Sequence, residues 1–346
     1  MKFGQTFTEY LHGEQEKFLN KCSHVEYKRL KKVLKSCRAC RMLNDNNSGS
    51  NEQSKESKES PDLCKCSSCA LCNQMFFTEL TKEASDIAGC FRSRVSRLLN
   101  LHVSSGLYRY LWRMWHCFFD DQQVMIQEGR MLLDYVTMNN IAISKILKKY
   151  DKIHGSVEGQ NFKIEMRNKH IEILQSPWLI ELSAFYLNSS GSEFGTPDNV
   201  FNGQISCDLN GKQPVMIISL SDHMKYEFSL ICAICLDTVF NPYALGCGHL
   251  FCKSCACSAA SMPLFLGIKE AHEGAKCPVC RAVGVYKDAM HMMELNLLLK
   301  NRRKEYWKER LQAERAETVK QTKEYLGSQS ITAIGMWSGT RSSGYV

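Results

Sequence analysis

The chain has 346 residues, 44% of them hydrophobic, which suits about two domains with cores of ordinary size. No apolar run approaches the ~20 residues needed to cross a bilayer, and the opening "MKFGQTFTEYLHGEQEKF" meets charge too early for a secretory apolar segment. A soluble intracellular chain is expected, and there its 18 cysteines should serve metal binding and not a disulfide framework. The formal charge of +8 is uneven: residues 21–41 carry eight Lys/Arg against one acid, Glu26. Such local excess points to an anionic partner, although a solubilising face is the commoner meaning.

Residues 1–43 read as two short amphipathic helices. The stretch "NDNNSGSNEQSKESKESPD" that follows is too polar to pack and is expected to be a disordered insert over about 41–73. Helical periodicity returns from Met75, stops near Gly106, and resumes as a long helix from about Asp120 to Lys152, with Leu132, Val136, Ile143, Ile146 and Tyr150 as its buried stripe. Pro177 predicts a kink or restart within "NKHIEILQSPWLIELSAFYLN". Residues 189–214 collect Gly, Ser, Asn and Pro and read as a linker, with a short hairpin at "CDLNGKQPVMIISL". A cysteine-rich block occupies 230–281. A long charged helix is expected over 289–327 and a frayed tail over 328–346.

The cysteine-rich block supplies eight ligand candidates in order: Cys232, Cys235, Cys247, His249, Cys252, Cys255, Cys277 and Cys280. Zinc takes four tetrahedral thiolate or imidazole ligands, so eight make two closed structural sites with no open position for hydrolytic chemistry. So small a segment has little core, and metal binding should supply much of its folding free energy. Cys37, Cys40, Cys69 and Cys72 could furnish a further four-thiolate site. Surface thiols on a flexible insert are the favoured reading of those four.

This spacing, C-x2-C-x11-C-x-H-x2-C-x2-C-x21-C-x2-C, resembles the RING finger. The resemblance implies interleaved ligands: Cys232, Cys235, Cys252 and Cys255 around one zinc, Cys247, His249, Cys277 and Cys280 around the other. Cys257 is then a packed side chain. RING domains are mostly ubiquitin ligases. By the same resemblance, Ile234 and Pro278 would contact a ubiquitin-conjugating enzyme, and Arg281 would bridge that enzyme and ubiquitin with a fork of donors that lysine cannot imitate. The tryptophan that many RINGs carry between the sixth and seventh ligands is missing; Leu264 or Phe265 would take its place. Catalysis would be non-covalent, by positioning the charged enzyme.

At ~100° per residue, Lys145, Lys148, Lys149 and Lys152 fall opposite the apolar stripe of the long helix. A solvated face would lie there too, but such faces normally mix signs, since like charges at i, i+4 cost a few tenths of a kcal/mol. "VEYKRLKKVLK" repeats the theme, with Tyr27 one turn from Lys31. Together "MKFG", "YKRLKK" and "NNIAISKILKKYDK" resemble the SPX domain, a helical bundle that recognises inositol polyphosphates and pyrophosphates. The resemblance implies an inner phosphate cluster of Tyr27, Lys31 and Lys148 or Lys149, surrounded by Lys145, Lys152, Lys2 and Lys28. Asp151 would orient the helix end without touching ligand.

The whole chain thus resembles the plant SPX–RING ubiquitin ligases of the nitrogen limitation adaptation type, which direct plasma-membrane phosphate transporters toward degradation. The expected fold class is mostly α: an SPX bundle of long antiparallel helices over 1–155, a helical and β-containing linker over 156–225, a small α+β cross-brace RING over 226–288, then the C-terminal helix. Two zinc ions and a regulatory inositol phosphate are the implied cofactors. Implied partners are a conjugating enzyme, ubiquitin and membrane transporters, with action at the cytoplasmic face of the plasma membrane or in the nucleus, and with homodimers through the flanking helix as an option. The rival is a phosphate-sensing scaffold whose RING only mediates protein contacts. Nucleic-acid binding is disfavoured, since no basic recognition helix lies within the zinc block.

Overall fold

The computed structural model describes residues 3–13, 16–34, 70–103, 121–168, 176–190, 204–209, 211, 213–221 and 224–339. The insert, the aromatic run "YRYLWRMWHCFF", Lys2, and the cysteines at 37, 40, 69 and 72 lie outside the residues whose side chains are described. The chain divides into two compact units, Met1–Leu179 and Ile180–Val346.

The first unit is helical. Short helices α1 (Phe3–Leu11) and α2 (Glu16–Leu19) lead to α3 over residues 27–34. Two 34-residue helices follow, α4 (Ala70–Val103) and α5 (Asp121–His154), and then α6 (Glu158–Asn168). Phe76 stacks on Tyr150 while Arg94 pairs with Glu128, so α4 and α5 run antiparallel. The expected stripe is the buried one: Leu132, Val136, Ile146 and Tyr150 are almost fully covered, together with Phe76, Leu80, Ile87, Phe91 and Val95 from α4. Apolar residues at helical spacing meet across the pair, and their removal from water drives the bundle.

Polar side chains fix how α3 enters. Asn139 of α5 accepts the Val25 N–H at 3.0 Å and Tyr135 donates its hydroxyl to the Ser23 carbonyl. Glu83 of α4 takes the Glu26 N–H at 3.1 Å, satisfying one of the donors that a helix N-terminus leaves open. Asp151 accepts the Gly159 N–H at 2.7 Å and so holds the start of α6 against the end of α5. A Cβ at Gly159 would sit 2.9 Å from the Leu147 carbonyl oxygen, a backbone atom that cannot step aside.

Helix α7 (Pro177–Ser190), which belongs to the second unit from Ile180 on, begins at Pro177, where the missing N–H costs nothing. Where a linker over 189–214 and a short hairpin over 207–220 were expected, residues 204–229 form a three-stranded antiparallel sheet, β1 (Gln204–Asp208), β2 (Val215–Ser221) and β3 (Met224–Ser229), in that order. Ile205, Met216 and Ile218 are buried at alternate positions, a period of two too short to stand out beside the polar residues before it. The cysteine-rich block contributes β4 (Pro242–Ala244), β5 (Leu250–Cys252), α8 (Lys253–Ala259) and β6 (Met290–His291), with β4 between the other two strands. The single helix expected over 289–327 is two: α9 (Met293–Arg302) and α10 (Lys304–Gly339), broken at Arg303, whose φ of −128° is not helical. Helix α10 also continues past 327, where a tail was expected; once nucleated, a helix extends at little cost through neutral residues.

A buried carboxylate ties α7 to α9. Glu181 accepts the N–H groups of Glu294 and Leu295, each at 3.0 Å, and Asn188 donates to Glu294 Oε2 at 2.9 Å. Burial pushes the Glu181 carboxyl up to about 8. An acid raised above its unfolded value of 4.5 stabilises fully below that value and loses the contribution as pH climbs through about 8. Wild-type melting temperature should therefore fall between pH 5 and 8 relative to Glu181→Gln, the neutral isostere. Glu181→Ala should cost about 2–4 kcal/mol below about pH 5, because two buried N–H groups lose their acceptor, and less as pH climbs toward 8. Thermal denaturation of the three proteins across that range checks both.

Candidate metal centre

The eight ligand candidates gather into two groups, Cys232, Cys235, Cys252 and Cys255 in one and Cys247, His249, Cys277 and Cys280 in the other, with donor atoms in each within 4.8 Å of one another. Both groups are assembled by local devices. Each outer C-x2-C pair is a tight knuckle: the Leu236 N–H returns to the Cys232 carbonyl at 2.9 Å, and the Arg281 N–H to the Cys277 carbonyl at 3.0 Å. Leu236 and Arg281 occupy matching left-handed positions, at φ 59° and 64°. Bridges between Ile231 and Thr238, and between Lys276 and Val283, close the two knuckles. The middle ligands come from the β4–β5 hairpin and α8. The hairpin's turn carries Cys247 and His249 for one group, and its last residue, Cys252, belongs to the other.

The donor geometry fits zinc. Tetrahedral Zn–S bonds of about 2.3 Å place sulfurs about 3.8 Å apart, and a sulfur about 3.5 Å from an imidazole nitrogen. Cys235 and Cys252 sulfurs lie 3.8 Å apart, and His249 Nδ1 lies 3.3 Å from Cys247 and 3.7 Å from Cys277. The Phe240 N–H donates to the Cys252 sulfur at 3.2 Å, as a thiolate requires. Protons alone serve these clusters badly: burial and then the Cys277 and Cys280 thiols push Cys247 up to about 12, and Cys232 pushes Cys255 up to about 12. A divalent cation relieves that crowding by taking all the sulfurs as thiolates. The two groups can thus hold two zinc ions.

Around the clusters, Ile234 and Leu236 on the first knuckle, and Pro278, Val279 and Arg281 on the last, are exposed. Cys257 is fully buried, in keeping with a packing role. Leu264 is buried, and the half-buried Phe265 packs against Tyr325 with ring centroids 5.3 Å apart. In the same stretch Leu266 is exposed.

Sequence reasoning missed the brace that α10 provides. Tyr306 donates its hydroxyl to the Thr238 carbonyl at 2.5 Å, and Arg303 reaches Thr238 Oγ1 at 2.9 Å. Glu314 accepts from Asn241 and Gln321 from the Leu264 N–H, both at 2.8 Å. Arg310 lies 3.8 Å from the Cys252 sulfur and 3.9 Å from that of Cys235, placing a guanidinium beside two ligands. Its charge would offset part of a four-thiolate site's excess negative charge. Nothing in "KEYWKERLQAER" marks one arginine for this; only packing selects it.

In the first unit, Phe3 is the meeting point of the two lysine-rich helices. The Tyr27 ring meets it edge-on at 5.3 Å, and Lys145 Nζ lies 5.0 Å from its centroid. Lys31 and Lys149 are half-buried and Lys148 and Lys152 exposed. Among the described residues, no carboxylate pairs with Lys31, Lys145, Lys148 or Lys152.

Comparison with known proteins agrees with this geometry. The RING-type zinc-finger family matches residues 232–278. Probable E3 ubiquitin-protein ligase BAH1-like 1 of Oryza sativa subsp. indica is 62% identical over 97% of this chain and 100% of its own length. Probable E3 ubiquitin-protein ligase BAH1-like of Arabidopsis thaliana is 57% identical with the same coverage, and E3 ubiquitin-protein ligase NLA of Arabidopsis thaliana is 42% identical over 97% of this chain and 100% of its length. No solved structure matches. No helix among the described residues is long and apolar enough to cross a membrane. With two zinc-fitted clusters inside a RING match and near-complete alignment to these relatives, the chain belongs to the BAH1/NLA family of RING-type E3 ubiquitin-protein ligases.

Proposed function

We infer that Ile234 and Pro278 seat a ubiquitin-charged conjugating enzyme and that Arg281 holds ubiquitin against it, so that the thioester is presented to a substrate lysine. The observation that carries this reading is Arg281 itself. It is exposed at φ 64°, where glycine would be unstrained, so its side chain is kept at a conformational cost. Among the described residues, the apolar knuckle residues Ile234, Leu236 and Val279 stand exposed, as does Leu266. No covalent relay is needed: Cys257 is fully buried, and burial pushes the Cys207 thiol up to about 11, away from a nucleophile's range. Rate enhancement then comes from restricting the thioester's orientation. Chain formation with purified ubiquitin, activating enzyme and several conjugating enzymes tests the reading; a zinc-loaded wild-type chain that forms no ubiquitin chains with any of them would reduce the unit to a scaffold.

The N-terminal unit, in the same reading, senses inositol polyphosphates or pyrophosphates through Tyr27, Lys31, Lys145, Lys148, Lys149 and Lys152. The shared contact on Phe3 supports it, since it draws Tyr27 and Lys145 together, as does the lack, among the described residues, of carboxylate partners for four of the lysines. Ligand binding there would govern ubiquitination of membrane phosphate transporters in phosphate and nitrate homeostasis, at the cytoplasmic face of the plasma membrane or in the nucleus. Lys31→Ala and Lys149→Ala should each weaken inositol pyrophosphate binding by about tenfold or more, the worth of one charge-assisted contact. Titration calorimetry on the folded chain decides this, and unchanged affinity in both variants returns these lysines to a solvated surface.

A further inference from the structure

We propose that helix α10 sets the docking geometry for the conjugating enzyme, with Gln321 as a positioning residue that holds the loop carrying Leu266 in place relative to the first zinc knuckle. The inference rests on the reading that the conjugating enzyme docks on the exposed apolar residues of this module. One continuous helix is bonded to both segments. Tyr306 donates to the Thr238 carbonyl just past the first knuckle, and Arg310 lies beside the sulfurs of Cys235 and Cys252. Three turns further on, Gln321 Oε1 accepts the Leu264 N–H at 2.8 Å, and Tyr325 packs on Phe265. From Arg310 to Gln321 the helix axis advances about 16 Å, at 1.5 Å per residue. A standard interface covers about 800 Å² of each partner, a patch about 30 Å across, so segments held at that spacing can meet one docked protein.

Gln321 is itself aimed. Its Nε2 donates to Glu317 Oε1 at 2.9 Å, one turn earlier on α10, which commits Oε1 to the loop. Both ends of the amide are engaged, so a side chain with several rotatable bonds is held to one setting. The loop it grips turns through left-handed backbone positions at both ends, Ser261 at φ 56° and Gly267 at φ 91°. Within it the Met262 N–H returns to the Cys257 carbonyl at 2.8 Å, but the Leu266 N–H reaches the Pro263 carbonyl only at 3.3 Å. The loop is therefore well fastened where it leaves α8 and loosely fastened where it presents Leu266. Leu264 seats its side chain in the core, and Leu266, two residues on, stands 46% exposed. The bond from the Leu264 N–H to a helix anchored at the first knuckle fixes the angle at which Leu266 is offered. Discharge itself takes place on the conjugating enzyme, so this contact governs affinity for that enzyme and not the transfer step.

The test uses the full zinc-loaded chain and, as probe, the conjugating enzyme that forms most ubiquitin chains with the wild type. Gln321→Leu keeps the shape of the side chain and removes the acceptor. It should weaken binding of the uncharged conjugating enzyme about fivefold by titration calorimetry, the worth of one neutral hydrogen bond. Single-turnover discharge at saturating conjugating enzyme should stay within about twofold of wild type, the split expected when only binding is lost. Exchanging the pair, Glu317→Gln with Gln321→Glu, puts a donor back at 317 and an acceptor at 321 and should restore the affinity. The Leu264 amide should exchange with solvent faster in Gln321→Leu and regain protection in the exchanged pair. Loss of zinc, or of discharge at saturation, in Gln321→Leu would make α10 a structural brace only and overturn the proposal. Ile234→Ala separates this inference from the reading beneath it, and is expected to weaken the same binding. If Ile234→Ala and Gln321→Leu both bind as wild type does, the docking reading falls and the proposal with it. If Gln321→Leu alone binds as wild type does, the docking reading stands and the role of Gln321 is overturned.

Discussion

A Cys247→Ala chain is expected to hold one zinc ion where the wild type holds two, and to lose ubiquitin-chain formation by at least about a hundredfold. Structural zinc contributes about 10–16 kcal/mol in small zinc modules, more than such a segment can replace from its core. The damage should also spread. Cys247 and His249 sit in the turn between β4 and β5, and β5 ends on Cys252, a member of the other cluster. Opening one site frees the hairpin that positions a ligand of the other. The measurements are zinc per chain by metal analysis and chain formation with a conjugating enzyme that works with wild type. A variant that keeps two zinc ions would contradict the assignment of Cys247 as a ligand; one that loses zinc yet keeps full activity would contradict the dependence of activity on the cluster.

Substituting Arg281 should separate activity from folding. Arg281→Ala is expected to retain both zinc ions and the melting temperature of the wild type, and to slow ubiquitin discharge from the conjugating enzyme about tenfold or more, roughly the loss of 1.4 kcal/mol or more of charge-assisted contact. Arg281→Lys should not rescue it, because an ammonium cannot present several donors in a fixed plane. Arg281→Gly sharpens the contrast. At φ 64° glycine removes backbone strain, so this variant should be as stable as wild type or slightly more so, and still slow. Single-turnover discharge assays, paired with thermal melts, distinguish these outcomes. Full discharge activity in Arg281→Gly would remove the guanidinium from the mechanism.

The parts of this molecule legible from residues alone are those whose physics is local. Zinc ligands at short, regular separations declare a metal module before any fold is known, since coordination number and knuckle geometry constrain the spacing. The antiparallel pair α4 and α5 was legible for a similar reason: Leu132, Val136, Ile146 and Tyr150 repeat at the helical period, and the structure buries them all. Residues 204–229 were harder, because a three-stranded sheet rests on pairing between strands, and Ile205, Met216 and Ile218 show their alternation only over a few residues each.

Sequence by itself determined the two classes of chemistry in this chain, eight soft ligands in a RING order and one-signed lysine faces on two helices. Only the tertiary structure decided which distant groups share a site. It put Arg310, far beyond the last ligand, beside the sulfurs of Cys235 and Cys252, chose Leu266 over Leu264 and Phe265 as the exposed apolar residue, and brought Tyr27 and Lys145 onto Phe3. The physical reason is common to all three: spacing along a chain records periodicity within one element, while contact between elements depends on how whole faces pack, which no short window of residues contains.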